Sequence, residues 1–183
     1  MHPDLIRITT TTHPVLLDIA YATPDNFTGS PIYSQPHCYL HKTALTHLEH
    51  AVDLAARQHL TLKIFDAFRP LKAQWALWHH TPDPTYISHP EQGSIPHCRG
   101  VAVDLTLVAQ DGQALDMGTP FDHLSPLAHH GNTSVSTEAQ KNRYLLMGIM
   151  STAGWDFYQK EWWHYQLLQC RQYSVISDDE SPF

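Results

Sequence analysis

His97 and Asp104 stand on either side of a glycine in Ser94-Ile95-Pro96-His97-Cys98-Arg99-Gly100-Val101-Ala102-Val103-Asp104-Leu105-Thr106-Leu107, and Glu161-Trp162-Trp163-His164 follows near the end of the chain. Together His97, Asp104 and His164 are two imidazoles and one carboxylate. That donor set suits Zn²⁺, and three protein ligands leave a fourth position for water. An ion so held makes water a usable nucleophile near neutral pH and polarises a carbonyl group. Glu161 is close to His164 and is not needed as a ligand, so it is placed to take the water's proton and pass it to a leaving amine. Asp66-Ala67-Phe68-Arg69-Pro70 adds a cation. Pro70 disfavours helical geometry at Arg69, which fixes the direction in which the arginine leaves its strand. Two readings of Arg69 stand side by side at this point, an ion pair with Asp66 or a charge aimed at a developing oxyanion.

The whole set describes metal-assisted hydrolysis of an amide. No single spacing would carry that reading, because 15 histidines make chance pairs common. The same ligand types serve non-haem Fe(II) oxygenases. Those enzymes usually hold their first two ligands as His-x-Asp/Glu on one strand, whereas six residues separate His97 from Asp104 here and Glu161 would have no task. A zinc-holding binding domain without turnover is the rival from another class, and the presence of Glu161 and Arg69 argues against it.

The elements that must position these residues are legible in part. Val101, Val103, Leu105 and Leu107 alternate with Gly100, Ala102, Asp104 and Thr106, which predicts a strand with one apolar face and one small, polar face around Asp104. Leu45, Leu48, Val52, Ala55 and Ala56 recur at helical spacing between Thr43 and Leu60. Thr61–Asp66 reads as a strand, and Pro70 opens a helix running to about His79. The stretch from His79 to Pro96 is rich in proline and aperiodic, the mark of a long loop beside a binding site. Thr137 with Gln140 suggests a capping box for a second amphipathic helix ending before Gly154. Trp155–Tyr158 and Trp163–Leu168 read as two short strands, and Ile6–Ala20 as one or two more. On a regular strand Glu161 and His164 would face opposite ways, so Glu161 is expected in a turn or bulge before it. Tyr21 opens a turn-rich loop, Asp122 is an exposed-looking acid in another, and the acidic tail from Ser177 is expected to be loose.

Composition excludes several classes. The 183 residues, 42% hydrophobic and 16% charged, suit one globular domain spanning the chain. A net charge of -7 without a basic run speaks against nucleic-acid and anionic-membrane partners. No apolar run is long enough to cross a bilayer. The N-terminal residues lack the basic and apolar regions of a secretory leader, which points to the cytoplasm; a periplasmic location is the alternative if a leader is removed. Cys38, Cys98 and Cys170 share no metal-like spacing and read as reduced, buried thiols.

The motifs Ser-x-x-His-x-x-Gly-x-Ala-x-Asp-Leu-Thr-Leu, Glu-Trp-Trp-His-Tyr and Asp-x-x-Arg-Pro together resemble the D-alanyl-D-alanine dipeptidases of the VanX type, zinc peptidases with the hedgehog/D-Ala-D-Ala peptidase fold. The resemblance extends to Tyr21-Ala22-Thr23-x-x-Asn26-Phe27-Thr28-Gly29, Met117-Gly118-x-x-Phe121-Asp122, Asn142-Arg143 and Gly154-Trp155-x-x-Tyr158. It implies an α+β fold, an antiparallel sheet with helices packed on one face and the site on the other. It also implies one zinc ion held by His97, Asp104 and His164, with Glu161 as catalytic base and Arg69 stabilising the tetrahedral intermediate. Asp122 would hold the substrate's free ammonium, with Tyr21 near the same pocket and Ser94 on the substrate side of the first zinc histidine. The expected substrate is a small D,D-dipeptide, most simply D-Ala-D-Ala, and the rival within the class is a carboxypeptidase acting on longer muropeptides. One position departs from the pattern. Ile95 stands where these enzymes carry a substrate-contacting serine, which bears on the dipeptide preferred more than on the reaction.

Overall fold

The computed structural model describes all 183 residues. Strands β1 (Leu5–Ile8) and β3 (Cys38–His41) form a two-stranded antiparallel ribbon, and β2 (Leu16–Leu17) lies between them in the chain. Helix α1 (Lys42–Arg57) leads into β4 (Leu60–Asp66), and α2 (Leu71–His80) follows after Pro70. Beyond the proline-rich loop come β5 (Ala102–Ala109), α3 (Thr137–Thr152), β6 (Trp155–Phe157) and β7 (His164–Leu167). The main sheet has five strands in the order β2-β4-β5-β7-β6. It is antiparallel except at its edge, where β2 pairs parallel with β4. The α+β architecture thus stands, with one short parallel pair.

The core follows from the alternation. Leu62 and Ile64 of β4, Val103, Leu105 and Leu107 of β5, and Tyr165 and Leu167 of β7 join one apolar cluster with Leu48, Ala51 and Ala55 of α1 and Leu146, Ile149 and Met150 of α3. These helix positions repeat at intervals of three or four, as a stripe facing a sheet requires. Asp104 and Thr106, on the other face of β5, are buried as well. A strand at the centre of a sheet that is covered on both sides explains why nothing along β5 is exposed until its end.

The register puts the chemistry in one row. Asp104 stands opposite His164 on one side and opposite Asp66 on the other. The second pairing depends on an irregularity in β4, where the register shifts between Ile64 and Asp66. Phe65 is left without a partner there, as the extra residue of a β-bulge. The loop after His97 is turned by Gly100, which has φ +67° and closes a 3₁₀ turn running His97–Arg99. The 3₁₀ turn delivers His97 to the same end of β5 as Asp104.

Two local expectations are corrected, at the cap of α3 and at the C-terminal tail. The cap of α3 is Ser136, whose side chain accepts from the Ala139 amide, and Thr137 is already the first helical residue. Ser136 lies one position further from Gln140, so no capping box forms. Tyr21 sits in a 3₁₀ turn, Ala20–Ala22, following β2, and is buried against Tyr33, Phe27 and Phe121. The acidic tail is docked. The Asp178 carboxylate accepts from the Lys72 amide at the start of α2, and Phe183 packs on Tyr33, Tyr39 and Phe68. An acid at a helix N-terminus and an aromatic on an aromatic cluster are both favourable, and together they outweigh the tail's polarity. The three cysteines are free and buried, as expected. No helix is long and apolar enough to cross a membrane.

Gly100 and Gly112 separate backbone strain from crowding. Both have positive φ, but a Cβ at Gly100 would come within 3.0 Å of the His41 backbone nitrogen and of Leu5, while at Gly112 nothing lies within 4 Å. Gly100→Ala is expected to lower the stability measured by urea unfolding by about 1–3 kcal/mol, and Gly112→Ala by clearly less. Equal losses would show that the packing around Gly100 is not what requires a glycine there.

Candidate active site

His97, Asp104 and His164 converge at the ends of β5 and β7, each buried, with potential ligand atoms within 4.8 Å of one another. His97 Nε2 lies 3.3 Å from Asp104 Oδ2 and 3.2 Å from His164 Nδ1, and His164 Nδ1 lies 3.0 Å from Asp104 Oδ1. The opposite ring nitrogens are already engaged. His97 Nδ1 is 2.6 Å from the Ala67 carbonyl oxygen, which can only accept, so this nitrogen carries the proton. His164 Nε2 is 3.1 Å from Gln166 Oε1 and is the donor there. Each neutral imidazole therefore turns an unprotonated nitrogen toward its neighbour and toward a carboxylate. Two lone pairs and an anion at such distances repel unless a proton or a cation lies between them. Accessory hydrogen bonds that orient imidazoles in this way are what metal-binding histidines commonly have. The donor set fits a divalent ion of the zinc type.

The charges respond accordingly. Burial opposes ionisation of Asp104, but His97 and His164 outweigh it and hold the carboxyl well below the usual carboxylate range. Burial likewise disfavours a charged His164, but its contact with Asp104 reverses this and draws its pKa upward. A proton and a cation thus compete for the same electron pairs.

Glu161 sits in the turn before β7, as its spacing from His164 requires. Its amide donates to the Tyr158 carbonyl and its own carbonyl accepts from the His164 amide. The turn brings its carboxylate to 3.9 Å from His164 Nδ1. No protein group donates a hydrogen bond to it, and burial pushes its pKa up to about 8. On the other side of Asp104, Arg69 Nη2 is 3.7 Å from Asp104 Oδ2. Of the two sequence readings of Arg69, the ion pair with Asp66 is formed. Asp66 accepts from Nε at 3.0 Å and Nη2 at 2.8 Å, Gln74 Oε1 accepts from Nη1 at 2.9 Å, and the Tyr21 ring lies under the guanidinium at 5.1 Å. Asp66 is itself held by the Tyr33 hydroxyl at 2.7 Å.

His97, Asp104, His164, Glu161, Arg69 and Gln74 line one cavity of about 340 Å³, whose opposite wall comes from the proline-rich loop through Tyr86, Ile87, Ser94 and Ile95. Asp122 lines it too, and is not exposed. Its Oδ2 is buried without any hydrogen-bond partner, and burial first, then the charge of Asp104, raises its pKa well above the ordinary value. Its segment is anchored from α3, where the Asn142 amide donates to the Asp116 carbonyl and Arg143 Nε to the Met117 carbonyl. Ser94 reaches the cavity wall, and its carbonyl accepts from Arg99 Nε. Ile95 is buried there with φ +40°, an uncommon backbone state for a β-branched residue.

A family model described as D-ala-D-ala dipeptidase, of the peptidase M15 family, matches residues 1–179. The chain belongs to this peptidase family. Among curated relatives, the D-alanyl-D-alanine dipeptidase of Escherichia coli K12 is 42% identical over 167 residues, covering 91% of this chain and 86% of the relative. That of Enterococcus faecium is 33% identical, covering 85% and 87% respectively. The protein is therefore a metallopeptidase by family, and the His97–Asp104–His164 group is where it could hold its metal.

Four contributors were not singled out from the sequence. Gln166, two residues after His164, carries the alternation that would have found it. In the sequence Asp66 stands out only as a possible ion-pair partner of Arg69. The Ala67 carbonyl and Gln74 leave no sequence signal, because a backbone atom and a lone glutamine in a helix look like any other.

Metal-stripped protein should gain thermal stability when zinc is added, because an ion that binds only the folded state stabilises it. The shift in melting temperature should disappear in His164→Ala. An equal shift in that variant would mean that zinc binds elsewhere.

Proposed function

We propose that the chain hydrolyses a D,D-dipeptide, most simply D-Ala-D-Ala, with one zinc ion held by His97 Nε2, His164 Nδ1 and the Asp104 carboxylate. The observation that carries this reading is a shared cavity. It contains a group of paired-up ligands, a carboxylate with no donor at Glu161 and a second carboxylate, at Asp122, whose Oδ2 is buried without a partner. The chemistry such an ion supplies when bound is polarisation of the scissile carbonyl and a water acidic enough to attack it at neutral pH.

The chain's own residues do the rest. Glu161 takes a proton from the attacking water as its oxygen bonds to the carbonyl carbon. It then delivers that proton to the amide nitrogen as the carbon–nitrogen bond breaks, and the second water proton passes from the new carboxyl group to the departing amine, so that a carboxylate and an ammonium are released. Arg69 Nη2 stands 3.7 Å from Asp104 and has a second hydrogen beyond the one given to Asp66, which can meet negative charge developing on the carbonyl oxygen. Its attachment to Asp66 and Gln74 means that little reorganisation is needed in the transition state.

Asp122 supplies the counter-charge for the substrate's ammonium group. A buried carboxylate without a partner is unfavourable alone and favourable once a cation arrives. This is also what selects a dipeptide over a longer chain. An N-acylated residue would bring a neutral amide to Asp122 and would need space beyond it, which a carboxypeptidase on muropeptides would have to provide. Tyr21 steadies Arg69 next to Asp122, and Ser94 lies on the cavity wall beside the substrate's path. Ile95 makes that wall more apolar than a serine would.

Alanine release from D-Ala-D-Ala by the zinc-loaded protein is the direct test. Glu161→Gln should lower kcat by about 10²–10⁴-fold with zinc content unchanged, and wild-type rates in that variant would remove Glu161 from the mechanism. N-acetyl-D-Ala-D-Ala should be hydrolysed at least about tenfold less efficiently by the wild type, since a site built to pair with a charge discriminates against its absence. Equal efficiency would contradict the role of Asp122.

A further inference from the structure

Gln74 lies in the first turn of α2, is 2% exposed, and shares the buried side of that helix with Ala73 and Leu77 of the core. A polar side chain at such a place must be satisfied, and both ends of its amide are. Its oxygen accepts from Arg69 Nη1 at 2.9 Å, and its nitrogen donates to the Ser88 carbonyl at 2.7 Å. The orientation follows from the partners. A guanidinium only donates and a carbonyl only accepts, so the amide cannot be turned round.

The two partners belong to different parts of the site. Arg69 stands beside Asp104, and Ser88 lies in the proline-rich loop that walls the opposite side of the cavity. That loop has other side-chain fastenings, from the Tyr158 hydroxyl to the Thr85 carbonyl at 2.8 Å, between the Tyr86 hydroxyl and His129 Nε2 at 3.3 Å, and from Arg99 Nε to the Ser94 carbonyl at 2.8 Å, but none of these reaches Arg69; the Tyr158 ring meets His164 edge-on. Asp66 fixes one edge of the guanidinium through Nε and Nη2. Nη1 is left to Gln74, so the remaining freedom of the group, a tilt about the Asp66 contact, is set by an amide tied to the loop.

We propose that Gln74 is a positioning residue that couples the seating of the loop over the cavity to the placement of the Arg69 guanidinium. The inference rests on the oxyanion role assigned above to Arg69. Substrate that packs under Tyr86, Ile87 and Ile95 presses the loop home, and the Gln74 amide carries that position to the arginine. A merely structural glutamine would satisfy two buried groups without any link to turnover.

A double-mutant cycle tests this, with kcat for D-Ala-D-Ala measured in wild type, Gln74→Met, Arg69→Ala and the double variant. Gln74→Met should lower kcat by about tenfold in the wild-type background and by less than about twofold when Arg69 is already alanine, because coupled residues are not additive. The same fold loss in both backgrounds, or none in either, would overturn the coupling. Gln74→Glu, which keeps an oxygen for Arg69 but opposes a carboxylate to the Ser88 carbonyl, is run beside it. Hydrogen exchange of the amides of residues 85–93 supplies a readout that needs no activity. It should speed up by about tenfold in both Gln74 variants while that of α3 stays the same, and unchanged loop exchange would overturn the tether. Failure of the Arg69 reading would be seen separately, as equal kcat in wild type and Arg69→Ala.

Discussion

Two imidazole nitrogens without protons, 3.2 Å apart and each beside the same carboxylate, cannot rest against one another as neutral groups. Their arrangement is imposed from behind. The Ala67 carbonyl takes the N–H of His97 and Gln166 takes that of His164, so neither ring can turn its protonated side inward without losing a buried hydrogen bond. The fold therefore maintains a pocket of electron pairs that only a positive species relieves. Asp104, drawn well below the usual carboxylate range by the same two rings, completes it.

Much of the remaining structure is explained by what it takes to hold that arrangement. The sheet register sets Asp66, Asp104 and His164 side by side, and the bulge at Phe65 lets Asp66 reach Arg69 from the same row. Gly100 returns the chain sharply enough for His97 and Asp104 to share one end of β5. Tyr33 locks Asp66, and the docked Phe183 packs on Tyr33, so the C-terminal tail supports the site from a distance. The loop from β5 to α3, anchored through Asn142 and Arg143, carries Asp122 to the wall of the same cavity.

What the sequence made legible and what it hid divide along physical lines. The strand around Asp104, helix α1 and the turn at Glu161 rest on side-chain periodicity and local geometry, which are visible in the residues themselves. His97, Asp104, His164, Glu161 and Arg69 were recognisable because their side chains carry the chemistry, and all five converge. The parallel pairing of β2, the docking of the tail and the enclosure of Asp122 depend on partners far away in the chain, and no local pattern encodes them. Ser136 took the cap from Thr137 because two adjacent hydroxyl residues compete for one position and only the backbone direction decides between them. Gln74 was invisible for a related reason. Its meaning comes entirely from Arg69 on one side and Ser88 on the other.

Whether these ring tautomers are arranged for an ion is tested directly by a crystal grown with zinc and measured at the zinc absorption edge. An anomalous peak is predicted about 2.0–2.2 Å from His97 Nε2, His164 Nδ1 and an Asp104 oxygen. A peak on His97 Nδ1, or zinc bound with this triad left empty, would contradict the account.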